Sequence, residues 1–201
     1  MGIITEISVC KRNKKRVNVY VDGDFAVALE AITAVENCLK KGARIDFARL
    51  QEIGRESDKE MAFKRATEYL SKYNRTEKEL REYLFSKEYS AEAVDSALLK
   101  LKEYGYLDDN ELARSHVGTY SSRRGKLRMK QDLIRRGVDR EYVEALMEEL
   151  GSQSDSAFAV AEKYLRTRSF DERKLSAYLL SKGFEWEDIS TAVHSIKKES
   201  E

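Results

Sequence analysis

The stretch SSRRGKLRMKQDLIRRG, residues 121–137, sets Arg123, Arg124, Lys126, Arg128, Lys130, Arg135 and Arg136 around a single acid, Asp132, in a chain of formal net charge +1. Clustered guanidinium and ammonium groups hold phosphates or carboxylates. Across residues 108–151 nine Lys or Arg face nine Asp or Glu, but the cations sit in the middle and all acids except Asp132 sit on either side. Two readings stand: a solvated face neutralised by those acids, or an electropositive ridge for phosphates or for an acidic protein surface. On a helix that turns Met129 and Leu133 inward, Arg128, Gln131 and Arg135 fall within about 60° of one another on the opposite side. Arginine forks carboxylates as readily as phosphates, so the sequence does not separate the two ligands.

Other candidate groups point to no catalysis. GTYSSRRGK at 118–126 is a poor phosphate loop: Gly118 stands two residues too far from Gly125–Lys126, and Leu127 replaces the Ser or Thr that would bind magnesium. Asp108 and Asp109 read as a helix cap, because Glu111 follows at capping-box spacing and Gly105 ends the preceding run. His116 and His194 have no Ser or Cys partner at a catalytic spacing, and Cys10 and Cys38 make no metal spacing with them. Both cysteines read as free thiols of a reducing compartment. No cofactor is expected.

Charged residues make up 36% of the 201-residue chain, against roughly 25% in an average globular protein. Proline is absent, which suits uninterrupted helices. The start MGIITEISVC lacks the charged leader and apolar run of a signal peptide, and no apolar stretch approaches the ~18 residues of a membrane span. A cytosolic, non-membrane protein is expected.

The elements that must position these residues begin with strands. Alternation over 3–29 sets Thr5, Ile7 and Val9 on one side opposite Glu6, Ser8 and Cys10. Val17, Val19 and Val21 then oppose Asn18, Tyr20 and Asp22, and Phe25, Val27 and Leu29 continue the pattern of half-buried strands. DGD at 22–24 reads as a tight hairpin, and KRNKKR at 11–16 as a solvated basic turn. From residue 30 the period is helical. Ser57 with Glu60, Thr76 with Glu79 and Asp108 with Glu111 read as helix starts.

Internal repetition decides the fold. Leu84, Leu133 and Leu179 align; Leu80, Met129 and Leu175 precede them by one turn, and Val94, Val143 and Ile189 follow ten residues on. Apolar positions at +3, +4 and +7 continue each last helix, as Ala97, Leu98 and Leu101, then Leu146, Met147 and Leu150, then Ala192, Val193 and Ile196. Tyr89, Val138 and Phe184 hold equivalent turn positions. A further helix precedes each pair and ends near Tyr69, Tyr120 or Tyr164, tyrosines expected in the core; Trp186 is expected to pack between helices. The chain is thus expected to be mainly α, with three tandem three-helix repeats and about nine helices in an elongated curved array. The expected segments are 1–56 (strands and a connecting helix), 57–107, 108–151 and 152–201.

RTEKELREYL, GYLDDNELA, RGKLRMKQDLIRRGV and the later LLSKGF, in this order and with the strand-rich amino terminus and KKG at 40–42, resemble the RecX family over essentially the whole chain. The chain departs from the family at Asn74 and Arg123, where proline is frequent, and at Glu88, where glycine is common. The resemblance implies a non-enzymatic regulator that binds the RecA recombinase filament in its groove. It implies restraint of ATP hydrolysis, strand exchange and co-protease activity, with DNA within or beside the filament as a further contact. A free monomer is expected. The alternative is a helical DNA-binding protein acting directly on nucleic acid. The turn at Gly137 loosely suits a helix-turn-helix, but a pI of about 7.7 lies below the value above ~9 usual for dedicated nucleic-acid domains.

Overall fold

The computed structural model describes residues 1–11 and 14–200, with side chains through 198. Among the described residues the chain is 61% helical, with ten helices and a small amino-terminal sheet. It divides into two compact units, Met1–Tyr73 with Leu80–Leu107, and Asn74–Glu79 with Asp108–Glu201.

In the first unit β1 (Gly2–Val9), β2 (Arg16–Val21), β3 (Asp24–Glu30) and β4 (Arg44–Ile45) form an antiparallel sheet in the order β3-β2-β1-β4. Asp22 and Gly23 both have positive φ, 52° and 97°. This is the backbone of a two-residue hairpin loop, where glycine carries the left-handed position without strain. The simple alternation expected of the strands fails in two places. The β1–β2 register shifts between Ile4 and Glu6, and the β2–β3 register shifts between Val19 and Tyr20. Each shift is a bulge, which moves the following residues to the other face. Ile4 therefore joins the core on the same face as Ile7, and Ala26 joins it while Phe25 turns out beside Tyr20. Val9 pairs with buried Val17 and is exposed at the end of β1.

α1 (Ala31–Glu36) follows the sheet, and α2 (Phe47–Leu70) then runs unbroken for 24 residues. Its first half packs Leu50 and Ile53 with Ile4, Val19 and Leu29 beneath the sheet. Its second half contributes Ala62 and Ala66 to a separate cluster with Leu80, Leu84, Val94, Leu98 and Leu101. Ser57, expected to start a helix, lies inside α2 and is buried. Its hydroxyl accepts from the Glu30 N–H at 3.1 Å and bonds the Thr33 hydroxyl at 3.2 Å. The oxygen that looked like a local cap thus serves the start of α1, far away in sequence. At Gly54 the helix meets the sheet so closely that a β-carbon would overlap Val27.

The remaining helices form the repeated sets. They are α3 (Glu77–Phe85), α4 (Ala91–Glu103), α5 (Asp109–Tyr120), α6 (Lys126–Arg136), α7 (Arg140–Glu149), α8 (Ser154–Leu165), α9 (Glu172–Ser181) and α10 (Trp186–Ser200). Every aligned position is inward: Leu80, Leu84 and Val94, Met129, Leu133 and Val143, and Leu175, Leu179 and Ile189 are all 0% exposed. Tyr89, Val138 and Phe184 are buried in the turns. The caps at Thr76 and Asp108 form as read. The Thr76 N–H donates to Glu79 and the Glu79 N–H to the Thr76 hydroxyl, while Asp108 accepts from the Asn110 and Glu111 N–H groups. The three tyrosines are half-buried in ring clusters, Tyr69 against Tyr83 with centroids 3.8 Å apart and Tyr164 against Tyr178 at 4.5 Å. Trp186 is 67% exposed. It lines a shallow surface pocket with Phe170 and with Ala177 and Leu180 of α9, and is not packed between helices as expected.

Replacing Gly54 by alanine should lower stability by about 1–3 kcal/mol through this overpacking. Combined with Val27→Ala the loss should be smaller than the sum of the two single losses, as read from urea unfolding of the three variants.

Candidate functional site

The seven cations lie on or just before α6, and the second unit determines which of them remain available. The N-terminus of α6 is built on backbone. Gly125 N–H donates to the Lys182 carbonyl at 3.0 Å, Leu127 N–H to the Gly183 carbonyl at 3.0 Å, and Lys126 N–H to the Gln153 side-chain oxygen at 2.7 Å. Gln153 is 4% exposed and its amide also donates to the Ser121 and Arg124 carbonyls. Asp188, likewise buried, accepts from the Gln153 N–H at 2.9 Å. Three N–H groups that a phosphate loop would present to an anion are therefore already occupied. Gly125 and Gly183 approach so closely that a β-carbon on Gly125 would overlap the Gly183 carbonyl group, and one on Gly183 would stand 2.5 Å from the Arg128 backbone.

The cations then divide. Arg136 is held inward: its Nε and Nη2 reach the two Glu79 oxygens at 2.9 and 3.0 Å, and Nη2 donates to the Asn74 carbonyl at 2.9 Å. Its own carbonyl accepts from the Thr76 hydroxyl at 2.6 Å. Arg124 pairs with Asp132 at 3.0 Å and covers the Tyr120 ring at 4.4 Å. Lys130 pairs with Glu144 at 3.0 Å, and Lys126 stands 3.8 Å from Glu185. Arg123, Arg128 and Arg135 are exposed. Among the described residues Arg123 reaches only the Thr119 carbonyl at 3.4 Å, and Arg128 only the Ser181 carbonyl at 3.4 Å. Arg135 meets Asp132 at 2.9 Å while its side chain stays 79% exposed. Charge that is contiguous in sequence is thus a narrow outer row of Arg128 and Arg135, with Arg123 at the start, flanked by neutralised pairs.

Burial works against ionisation of Glu79, but the Arg136 bonds, the Thr76 N–H and the nearby charges of Arg136 and Arg75 outweigh it, so its carboxyl titrates below the usual range. Burial also lowers the His116 pKa, assisted by Arg136 and Arg124 and opposed by Asp132. Its ring lies 4.7 Å from Tyr120, and its Nε2 is buried with no hydrogen-bond partner among the described residues. A neutral imidazole packed on a phenol is a wall of this cluster. Among the described residues no group of His, Cys, Asp or Glu could hold a metal ion, and Cys10 and Cys38 are free thiols. No helix is long and apolar enough to cross a membrane among the described residues.

Comparison with known proteins matches this order of elements throughout. The model of the regulatory protein RecX N-terminal domain matches residues 2–46, that of the first RecX three-helix domain residues 62–106, and that of the second residues 108–147. The chain belongs to the RecX family. It is 33% identical to the regulatory protein RecX of Clostridium perfringens strain 13, over 98% of this chain and 97% of that one. It is 33% identical to that of Bacillus licheniformis, over 100% of this chain and 80% of the relative. A crystal structure of regulatory protein RecX superposes with a TM-score of 0.65 at 25% identity, covering 96% of this chain and 98% of the other. RecX from Lactobacillus salivarius gives a TM-score of 0.62 at 25% identity, covering 70% and 97%.

Because the folded-state pKa of Glu79 is depressed, its contribution is present above the unfolded carboxylate range and is lost as pH falls through the folded value. Glu79→Gln should therefore lower stability at pH 7 and flatten the loss of stability on acidification below about pH 4.5, measured by denaturant unfolding from pH 7 to pH 3.

Proposed function

We propose that this chain is a non-catalytic regulator that binds the RecA recombinase on DNA, lies in the groove of the filament, and restrains ATP hydrolysis, strand exchange and co-protease activity. Its setting would be recombination, DNA repair and the SOS response in the cytoplasm. Membership of the RecX family carries this reading, since its relatives are regulatory proteins. The exposed Arg128–Arg135 row supplies a surface on which it acts. Five of the seven cations have a carboxylate partner, but Arg135 stays 79% exposed beside Asp132. Arg123, Arg128 and Arg135 are therefore the groups of the stretch that meet a partner's carboxylates or phosphates at least desolvation cost. Such a regulator acts only through a difference in affinity between filament states or assembly steps.

The test is single-stranded-DNA-stimulated ATP hydrolysis by the cognate recombinase, titrated with this protein at several DNA concentrations. Hydrolysis should fall at amounts below the recombinase and stay low when DNA is added in excess. Recovery in proportion to added DNA would instead mean competition for nucleic acid. Arg128→Glu combined with Arg135→Glu should raise the concentration needed for half-inhibition about tenfold or more with helicity unchanged, because each reversed charge replaces attraction by repulsion across the contact. Wild-type inhibition by that folded variant would remove this surface from the interaction.

A further inference from the structure

The first unit carries a second concentration of positive charge that the regulatory reading leaves unused. A groove of about 1340 Å³ opens between the β1–β2 connection, the middle of α2 and the α3–α4 turn. That is wider than the ~300–1,000 Å³ of ordinary small-molecule pockets. Seven Lys or Arg line it, Lys11, Lys14, Lys15, Arg16, Lys64, Arg65 and Lys87, against three carboxylates, Glu30, Glu68 and Glu88. With Asp58, the partner of Arg16, counted among the acids, the described lining keeps a surplus of three positive charges, which exceeds the +1 of the entire chain. Lys11, Lys14, Lys15 and Arg16, from the basic connection that reads in sequence as a solvated turn, form one wall of the groove; Arg12 and Asn13 lie outside the described residues. Strand residues next to this connection line the floor, and the facing walls come from α2 and the α3–α4 turn, more than forty residues away.

The kind of cation distinguishes the ligand. Both arginines are half-buried: Arg16 bonds Asp58 at 2.7 Å and the Ala28 carbonyl at 3.0 Å, and Arg65 lies beside the phenols of Tyr89 and Tyr83. The groups facing outward are lysines. Lys11, Lys14, Lys15, Lys64 and Lys87 are all exposed, and Lys87 stands 5.4 Å from the Tyr83 ring. Protein–protein contacts are enriched in arginine and depleted of lysine, whereas lysine serves phosphate as a point charge without a fixed fork. Tyr89 is buried and offers no free face on which a base would stack. Cations on several walls of one groove also reinforce one another's field.

We infer that this groove is a binding site for nucleic acid, holding the phosphate backbone through lysines of three separate elements and without reading sequence. Its natural ligand is a strand running past the first unit. The site is separate from the Arg128–Arg135 row, and its existence does not depend on the recombinase.

The experiment is fluorescence anisotropy of a labelled oligothymidylate with the full chain and no recombinase, over a series of salt concentrations. A Lys64→Glu/Lys87→Glu variant should bind at least tenfold more weakly, and the slope of log affinity against log salt should shrink by about 1.4, which is two contacts at roughly 0.7 each for a single strand. Lys64→Gln/Lys87→Gln, a milder change, should show the same slope with a smaller loss. Arg128→Glu/Arg135→Glu should keep wild-type oligonucleotide affinity. Absence of wild-type binding, or unchanged affinity and slope in the folded groove variants, would overturn the proposal. Intact oligonucleotide binding by a groove variant that no longer restrains the recombinase would overturn it too and assign the groove to a protein surface.

Discussion

An α-helix begins with N–H groups that have no acceptor within the helix, and in the second unit this requirement organises everything around it. The start of α6 finds its acceptors in the Lys182 and Gly183 carbonyls and in Gln153. Thr76 hands its hydroxyl proton to the Arg136 carbonyl at the end of α6, where Arg136 itself clamps Glu79. Both ends of the helix that carries the basic stretch are thereby tied to segments distant in sequence. The glycines follow from this. Gly137 and Gly183 occupy equivalent turn positions with φ of 98° and 88°, and in each a β-carbon would collide with the chain seated against it, Lys78 in one case and Arg128 in the other. The first copy has Glu88 at the matching place, with φ 65°, so that turn tolerates the left-handed backbone but bears a side chain that the other two have no room for.

Much of the helical architecture was legible because burial imposes a period on residues close in sequence. Leu84, Leu133 and Leu179 and their neighbours at fixed offsets needed only the 3.6-residue repeat to be placed inward. What escaped was set by contacts across sequence. Two bulges brought Ile4 and Ala26 inward and turned Phe25 outward, and nothing in the alternation around Phe25 marks them. Ser57 had the spacing of a helix start, yet a backbone N–H at Glu30 claimed its oxygen. Gln153 carries no motif at all and still closes the start of α6. A matching glycine four residues after Leu133 and Leu179 was the one signal from which the close turns were readable.

The basic stretch illustrates the same division. Its cations were visible, but their partners were not, because Glu79, Glu144 and Glu185 come from α3, α7 and the turn before α10. A sequence run reports how much charge is present, whereas the fold decides how much of it faces outward. A near-neutral chain can therefore leave positive side chains exposed in clusters, as it does with Arg128 and Arg135 on α6 and with lysines on the first unit.

The unbroken α2 has a further consequence. One rod of 24 residues supplies Leu50 and Ile53 to the sheet core and Ala62 and Ala66 to the first helical core. Helix growth is cooperative and nucleation costly, so a break at its middle exposes both cores at once. Sheet and first helical set should accordingly open as a single cooperative body on the hydrogen-exchange timescale. Any ligand that favours the closed sheet then also protects amides of α3 and α4 that it never touches.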